Sequence, residues 1–169
     1  MFDLDEVSPR KFREDLSQHK GKNITLWINS NGGDVYAASQ IYTALKEHSG
    51  KITVKIDGTA ISAASVIAMA GDEILMSPTA VMMIHNPWSG ISGESKDFRH
   101  MADVLDEVKE TIMNAYQIKT GLAREELSQM MDDETWMSAQ KALDKGFSDG
   151  MLYSGQDETD EVLNGMVRG

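Results

Sequence analysis

Three short stretches of the chain combine residue types that could do chemistry together. The first is Gly58-Thr59-Ala60-Ile61-Ser62-Ala63-Ala64-Ser65-Val66, where an apolar run turns into a segment of small residues. A hydroxyl on a sharp strand-to-helix turn can act as a nucleophile, and the positive end of the helix that follows favours the negative oxygen formed beside it. Ser65, at the end of an Ala-Ala-Ser turn, is taken as that hydroxyl, with Ser62 as its competitor. The second stretch ends in His85: of four histidines it alone closes an apolar run, whereas His19, His48 and His100 lie in polar helical patterns. A histidine at a strand end is placed to serve as a general base. The third is Gly32-Gly33, a turn whose backbone N–H groups can approach a carbonyl oxygen with no side chain in the way. Each stretch alone has a structural reading: a small-residue helix packing on a sheet, a satisfied histidine, a tight turn.

The elements needed to bring them together follow from the apolar pattern. Residues 24–28 read as a strand, 29–33 as a turn, and Val35, Ala38, Ile41, Tyr42 and Leu45 recur at helical spacing. The unit then repeats. Ile52, Val54 and Ile56 alternate, Asp57-Gly58 is read as a turn, and 62–70 as a helix, so that two strand-to-helix units predict a parallel sheet. Strand ends in such a sheet converge on one edge, where a helix start and His85 meet. Short strands are predicted over 73–76 and 80–84, with Pro87 stopping the second. A stripe of Phe98, Met101, Leu105, Val108, Ile112 and Ala115 predicts a helix over 95–120, terminated by Gly121, that projects beyond a small domain and needs a partner. Shorter helices are predicted over 9–19, 123–131 and 138–145, and a last strand over 147–153. Residues 1–154 read as one domain and 155–169 as an acidic, flexible tail.

Composition narrows the function classes. The 169 residues include 27 acidic and 16 basic ones, a net charge of −11, and no concentrated basic patch, which excludes nucleic acid as a partner. Without Cys there is no disulfide framework, thiolate zinc site or Cys nucleophile, and neither metal nor cofactor is expected. No apolar run spans a bilayer and residues 1–6 lack signal-peptide character, so a cytoplasmic protein is expected.

In this order, Ile28-Asn29-Ser30-Asn31-Gly32-Gly33-Asp34, Gly58-x-x-x-x-Ala63-Ala64-Ser65, Met83-Ile84-His85-Asn86-Pro87 and Trp136-Met137-Ser138-Ala139-x-x-Ala142-x-x-x-Gly146-x-x-Asp149 resemble the proteolytic subunit of Clp proteases, over about 24–152. Asn86-Pro87-Trp88 and Glu134-Thr135-Trp136-Met137 look most like the phage head-maturation (prohead protease) branch. The resemblance implies an α/β fold, the ClpP/crotonase-like superhelix of strand-strand-helix units, and a serine endopeptidase. It assigns Ser65 as nucleophile, His85 as general base, and Gly33 and Val66 as oxyanion donors. The orienting acid, four residues before the Ser-Ala pair, falls on Glu134 where the family commonly has Asp, with Asp133 and Asp132 as rivals. Asn31 stands where Pro is usual. The implied partners are a homo-oligomeric ring and a polypeptide substrate, capsid or scaffold protein in a host cytoplasm; the short stretch before Ile24 argues against an ATP-driven unfoldase. Two alternatives are a crotonase-like acyl-CoA enzyme, for whose phosphates there is no basic cluster, and a ring-forming structural protein with a decayed site.

Overall fold

The computed structural model describes residues 7–155; the acidic-tail expectation falls almost wholly outside them. In chain order the elements are α1 (Pro9–Ser17), β1 (Ile24–Ser30), α2 (Val35–Glu47), β2 (Ile52–Ile61), α3 (Ala63–Ala68), β3 (Glu73–Met76), β4 (Val81–Ile84), α4 (Ser95–Thr120), α5 (Arg124–Asp132), β5 (Thr135–Ser138), α6 (Ala139–Lys145) and β6 (Gly150–Met151). This is the expected mixed α/β architecture, built on a six-stranded sheet.

β2 organises the sheet because it is long enough to serve several neighbours. Along one side it pairs in parallel with β1. Along the other, Thr53 to Ile56 pair with β3 and Thr59 to Ile61 with β4, both parallel. β5 adds to β4 antiparallel, and β6 to β3 parallel. The core is fully buried Val54, Ile56, Ile74, Met76, Met82 and Ile84 from the strands, closed by residues of α2, α3 and the end of α4. There Tyr116 meets Phe147 edge to face at 5.7 Å.

Two expectations need correction. Asp57-Gly58 is not a turn: β2 runs through it, and Gly58 marks a bulge where the pairing jumps from Ile28↔Ile56 to Ser30↔Ala60. A Cβ at Gly58 would lie 2.3 Å from Asn29 Oδ1, which accepts bonds from Thr59 N and Thr59 Oγ1 at 3.0 and 3.2 Å. The last strand, expected over 147–153, shrinks to two residues, Gly150–Met151, and residues 135–138, for which no strand was expected, form β5. The long helix is as expected, and its buried residues, Ile112, Met113, Ala115 and Tyr116, all lie in its C-terminal half. Its first half, with Phe98 half exposed, carries an apolar stripe with no core beneath it.

Candidate active site

β2 and β4 are parallel, with Ile61 opposite Met83, so Ser62 and His85 leave the sheet at the same edge, Ser62 one residue and His85 two residues past that pair. Ser62 N donates to Met83 O at 2.9 Å, which ties the junction to β4. The backbone there turns sharply: Ser62 has φ 57° and ψ −124°, and α3 begins at the next residue. A non-glycine residue in such a conformation costs about 1–3 kcal/mol and persists only where its surroundings hold it. The turn aims the hydroxyl at the imidazole, and Ser62 Oγ lies 2.7 Å from His85 Nε2. With Nε2 accepting from that hydroxyl, the ring proton sits on Nδ1.

Ser65 is elsewhere, which corrects the choice of hydroxyl. It lies inside α3, fully buried, with Oγ donating to Ser62 O at 2.5 Å and 2.8 Å from Tyr116 OH. Both of its bonds point into the core and neither reaches His85. The hydroxyl beside His85 is that of the competitor Ser62, because the residue at the strand-to-helix junction carries the positive φ that presents a side chain outward. Val66 moves for the same reason. It is a buried residue one turn along α3, whereas the N–H beside Ser62 belongs to Ala63, the first residue of the helix, whose N–H has no intrahelical partner.

The glycine turn is where it was expected. Gly32 has φ 100° and Gly33 φ 150°. A Cβ on Gly32 would come within 2.8 Å of Ile61 O and 2.9 Å of Ser62 Cβ, so the loop lies directly against the serine. Gly33 and Ala63 both line the cleft in front of Ser62 and His85, a space of roughly 490 Å³ with the exposed Tyr36 and Trp88 at its border. Asn31, in place of proline, keeps the turn tied to β2 through a long contact of 3.4 Å with Thr59 Oγ1.

The three acidic residues are placed less tightly. Asp132 Oδ1 accepts from Lys109 Nζ at 2.7 Å and from Asn86 Nδ2 at 2.8 Å. The hydrogen bond from Lys109, and then that from Asn86, hold its carboxyl below the usual carboxylate range. Asp133 accepts from Gln129 on its own helix at 2.9 Å. Glu134 is exposed at φ 51°, and because Ile84 pairs with Thr135 in the β4–β5 ladder, it stands across from His85. Among the described residues no hydrogen bond joins any of the three to His85. No group of three or more potential metal ligands occurs among the described residues, and none of their helices is long and apolar enough to cross a membrane.

Sequence reasoning passed over Ser62 as the leading hydroxyl, Ala63 as the donor beside it and Tyr116 as a buried neighbour. The available signal was the position of Ser62 immediately after Ile61, the last apolar residue of the strand.

The chain is similar to known proteins. A family profile described as "Clp protease" matches residues 15–154. ATP-dependent Clp protease proteolytic subunit 2 of Thermobifida fusca is 32% identical over 160 residues, covering 92% of this chain and 79% of that protein. Proteolytic subunit 1 of Chlamydia abortus is 33% identical over 141 residues, 81% of this chain and 73% of the other. The proteolytic subunit of Deinococcus radiodurans is 30% identical over 151 residues, 88% of this chain and 72% of the other.

Proposed function

We propose that this chain, which belongs to the Clp protease family and is a serine peptidase, cleaves peptide bonds with Ser62 as nucleophile and His85 as general base. The observation that carries the assignment is the 2.7 Å contact between Ser62 Oγ and His85 Nε2 on an open cleft. Ser62 Oγ attacks the scissile carbonyl carbon while its proton passes to His85 Nε2. The carbonyl oxygen, now an anion, takes hydrogen bonds from the N–H groups of Gly33 and Ala63, which need no reorganisation to receive it. His85 gives its proton to the leaving amine and the acyl-enzyme remains. Water, deprotonated by His85, then releases the second product and restores the serine.

Glu134 completes this reading as the acid that orients the Nδ1–H of His85. It faces the histidine across β4 and β5, and a change of rotamer or a small shift of the 132–134 turn brings its carboxylate to the ring. The unpacked first half of α4 supports a homo-oligomeric ring in which that shift is made by assembly. Asp132 and Asp133 remain the rival acids, already engaged by Lys109 and Gln129. The Asn86-Pro87-Trp88 and Glu134-Thr135-Trp136-Met137 runs favour a phage capsid or scaffold protein as substrate, processed in the host cytoplasm.

The test is labelling with a fluorophosphonate followed by peptide mapping. Modification at Ser62, lost in Ser62→Ala, is the expected result; modification at Ser65 overturns the assignment.

A further inference from the structure

Two buried hydroxyls behind the nucleophile have no part in the chemistry above. Ser65 Oγ touches both Ser62 O and Tyr116 OH, at 2.5 and 2.8 Å. The direction of the protons follows from counting them. A carbonyl only accepts, so the single hydroxyl proton of Ser65 goes to Ser62 O. Ser65 Oγ is then left as an acceptor, and Tyr116 donates to it. The three groups form one chain, Tyr116 O–H to Ser65 O–H to Ser62 C=O, in which each bond strengthens the next. It needs a protonated phenol, and burial pushes the Tyr116 hydroxyl well above its ordinary titration range.

The chain ends on the carbonyl of the one residue whose backbone is strained to present the nucleophile. Ser65 N donates to the same oxygen at 2.9 Å, and Ser62 N is tied to β4. The Ser62 peptide groups are therefore held from three elements: β4, α3 and, through the phenol, α4.

We propose that Tyr116 and Ser65 are positioning residues that fix the backbone of Ser62 so that its Oγ stays aimed at His85, which makes the rate of acylation depend on helix α4. This rests on Ser62 being the nucleophile. Neither residue touches the reacting atoms; both act through the Ser62 carbonyl. Because α4 carries Tyr116 at its buried end and an unpacked apolar stripe at the other, force on the exposed half is transmitted to the nucleophile.

The experiment uses the full chain and a fluorophosphonate probe, with peptide hydrolysis beside it. Tyr116→Phe keeps the ring and its edge contact with Phe147 and removes only the hydroxyl. Its rate of Ser62 labelling and its kcat should fall by about 10- to 100-fold, with KM changed less than about twofold, as small misplacement of a reacting group does. Ser65→Ala should fall at least as far, and the double variant no further than Ser65→Ala, since both act through one chain. A part that merely supports the fold would lower the melting temperature and leave kcat alone at temperatures where the variant is folded. Labelling at Ser62 with an unchanged rate in folded Tyr116→Phe overturns the relay and leaves the nucleophile assignment standing. Labelling that maps away from Ser62 overturns both. If Tyr116→Phe does not fold, an unchanged labelling rate in Ser65→Ala is the overturning result.

Discussion

The two sides of His85 are built to different tolerances. On the nucleophile side, Ser62 has its N–H bonded to Met83, its carbonyl bonded twice to Ser65, and Gly32 pressed against its Cβ. Ser65 behind it is fully buried. On the acid side, Asp132, Asp133 and Glu134 are all exposed; Asp132 is held by the largely buried Lys109 and Asp133 by the exposed Gln129. Contacts of exposed carboxylates are screened by solvent and readily give way. The Ser62–His85 contact is thus formed within one chain, whereas in the proposed mechanism the third member sits on an exposed turn.

The largest effect should come from the rigid side. Ser62→Ala should reduce turnover of a peptide substrate by on the order of 10⁶, the loss seen when a hydrolase loses its nucleophile. Ser65→Ala should leave far more activity than that. Equal losses in the two variants, measured under single-turnover conditions, would erase the distinction between nucleophile and positioning residue.

Glu134→Gln should come next, at about 10² to 10⁴ in kcat, because it keeps the shape of the side chain but removes the charge that stabilises the imidazolium. Its loss should be visible in the assembled protein and smaller in any dissociated form, where the acid is not yet engaged. Comparing kcat above and below the concentration at which light scattering shows dissociation checks this. Gly32→Ala should cost about 10² to 10³ in kcat by displacing the turn that carries Gly33, the proposed oxyanion donor. It adds strain, since φ is 100° and the new Cβ meets backbone at 2.8 Å. A Gly32→Ala enzyme with normal kcat would show that the turn yields as easily as the acid side.

The same contrast explains what could be read from the sequence. Alternation in Ile52, Val54 and Ile56, the small residues after Ile61, and the apolar run ending at His85 are signals of buried, tightly packed elements, and they located β2, α3 and β4. The stripe along α4 gave its length. What failed depended on single torsions or thin burial. Ser62 and Ser65 are the same residue type three positions apart, and only the positive φ of Ser62, a property of the folded backbone, separates them. β5 buries one of its four residues, Met137, and so has almost no periodic signal. Gly58 reads as a turn until the neighbouring strand is in place to show a bulge. The proposed acid was narrowed only to 132–134, because nothing buried chooses among three exposed carboxylates.

The smallest expected effect tests whether Asp132 is only a fastening of that surface. Its folded-state pKa lies below the ordinary carboxylate value because Lys109 and Asn86 donate to the charged form. The unfolded chain therefore binds the proton more tightly than the folded one, and the pairing stabilises the fold above the unfolded pKa, near 4. That stabilisation is lost as the pH falls through the lower, folded value. Asp132→Asn retains an oxygen for the Asn86 amide but gives up the charge facing Lys109. The variant should melt slightly below wild type at pH 7, and the two melting curves should converge as the pH is lowered past about 4. Raising the salt concentration should narrow the gap at pH 7, as it does for exposed charges. Turnover at pH 7 should change only a few-fold, because Asp132 reaches His85 only through its neighbour Asn86. If Asp132→Asn instead abolishes cleavage while Glu134→Gln leaves it intact, Asp132 is the orienting acid, and the Lys109 contact is a latch that must open before the site works.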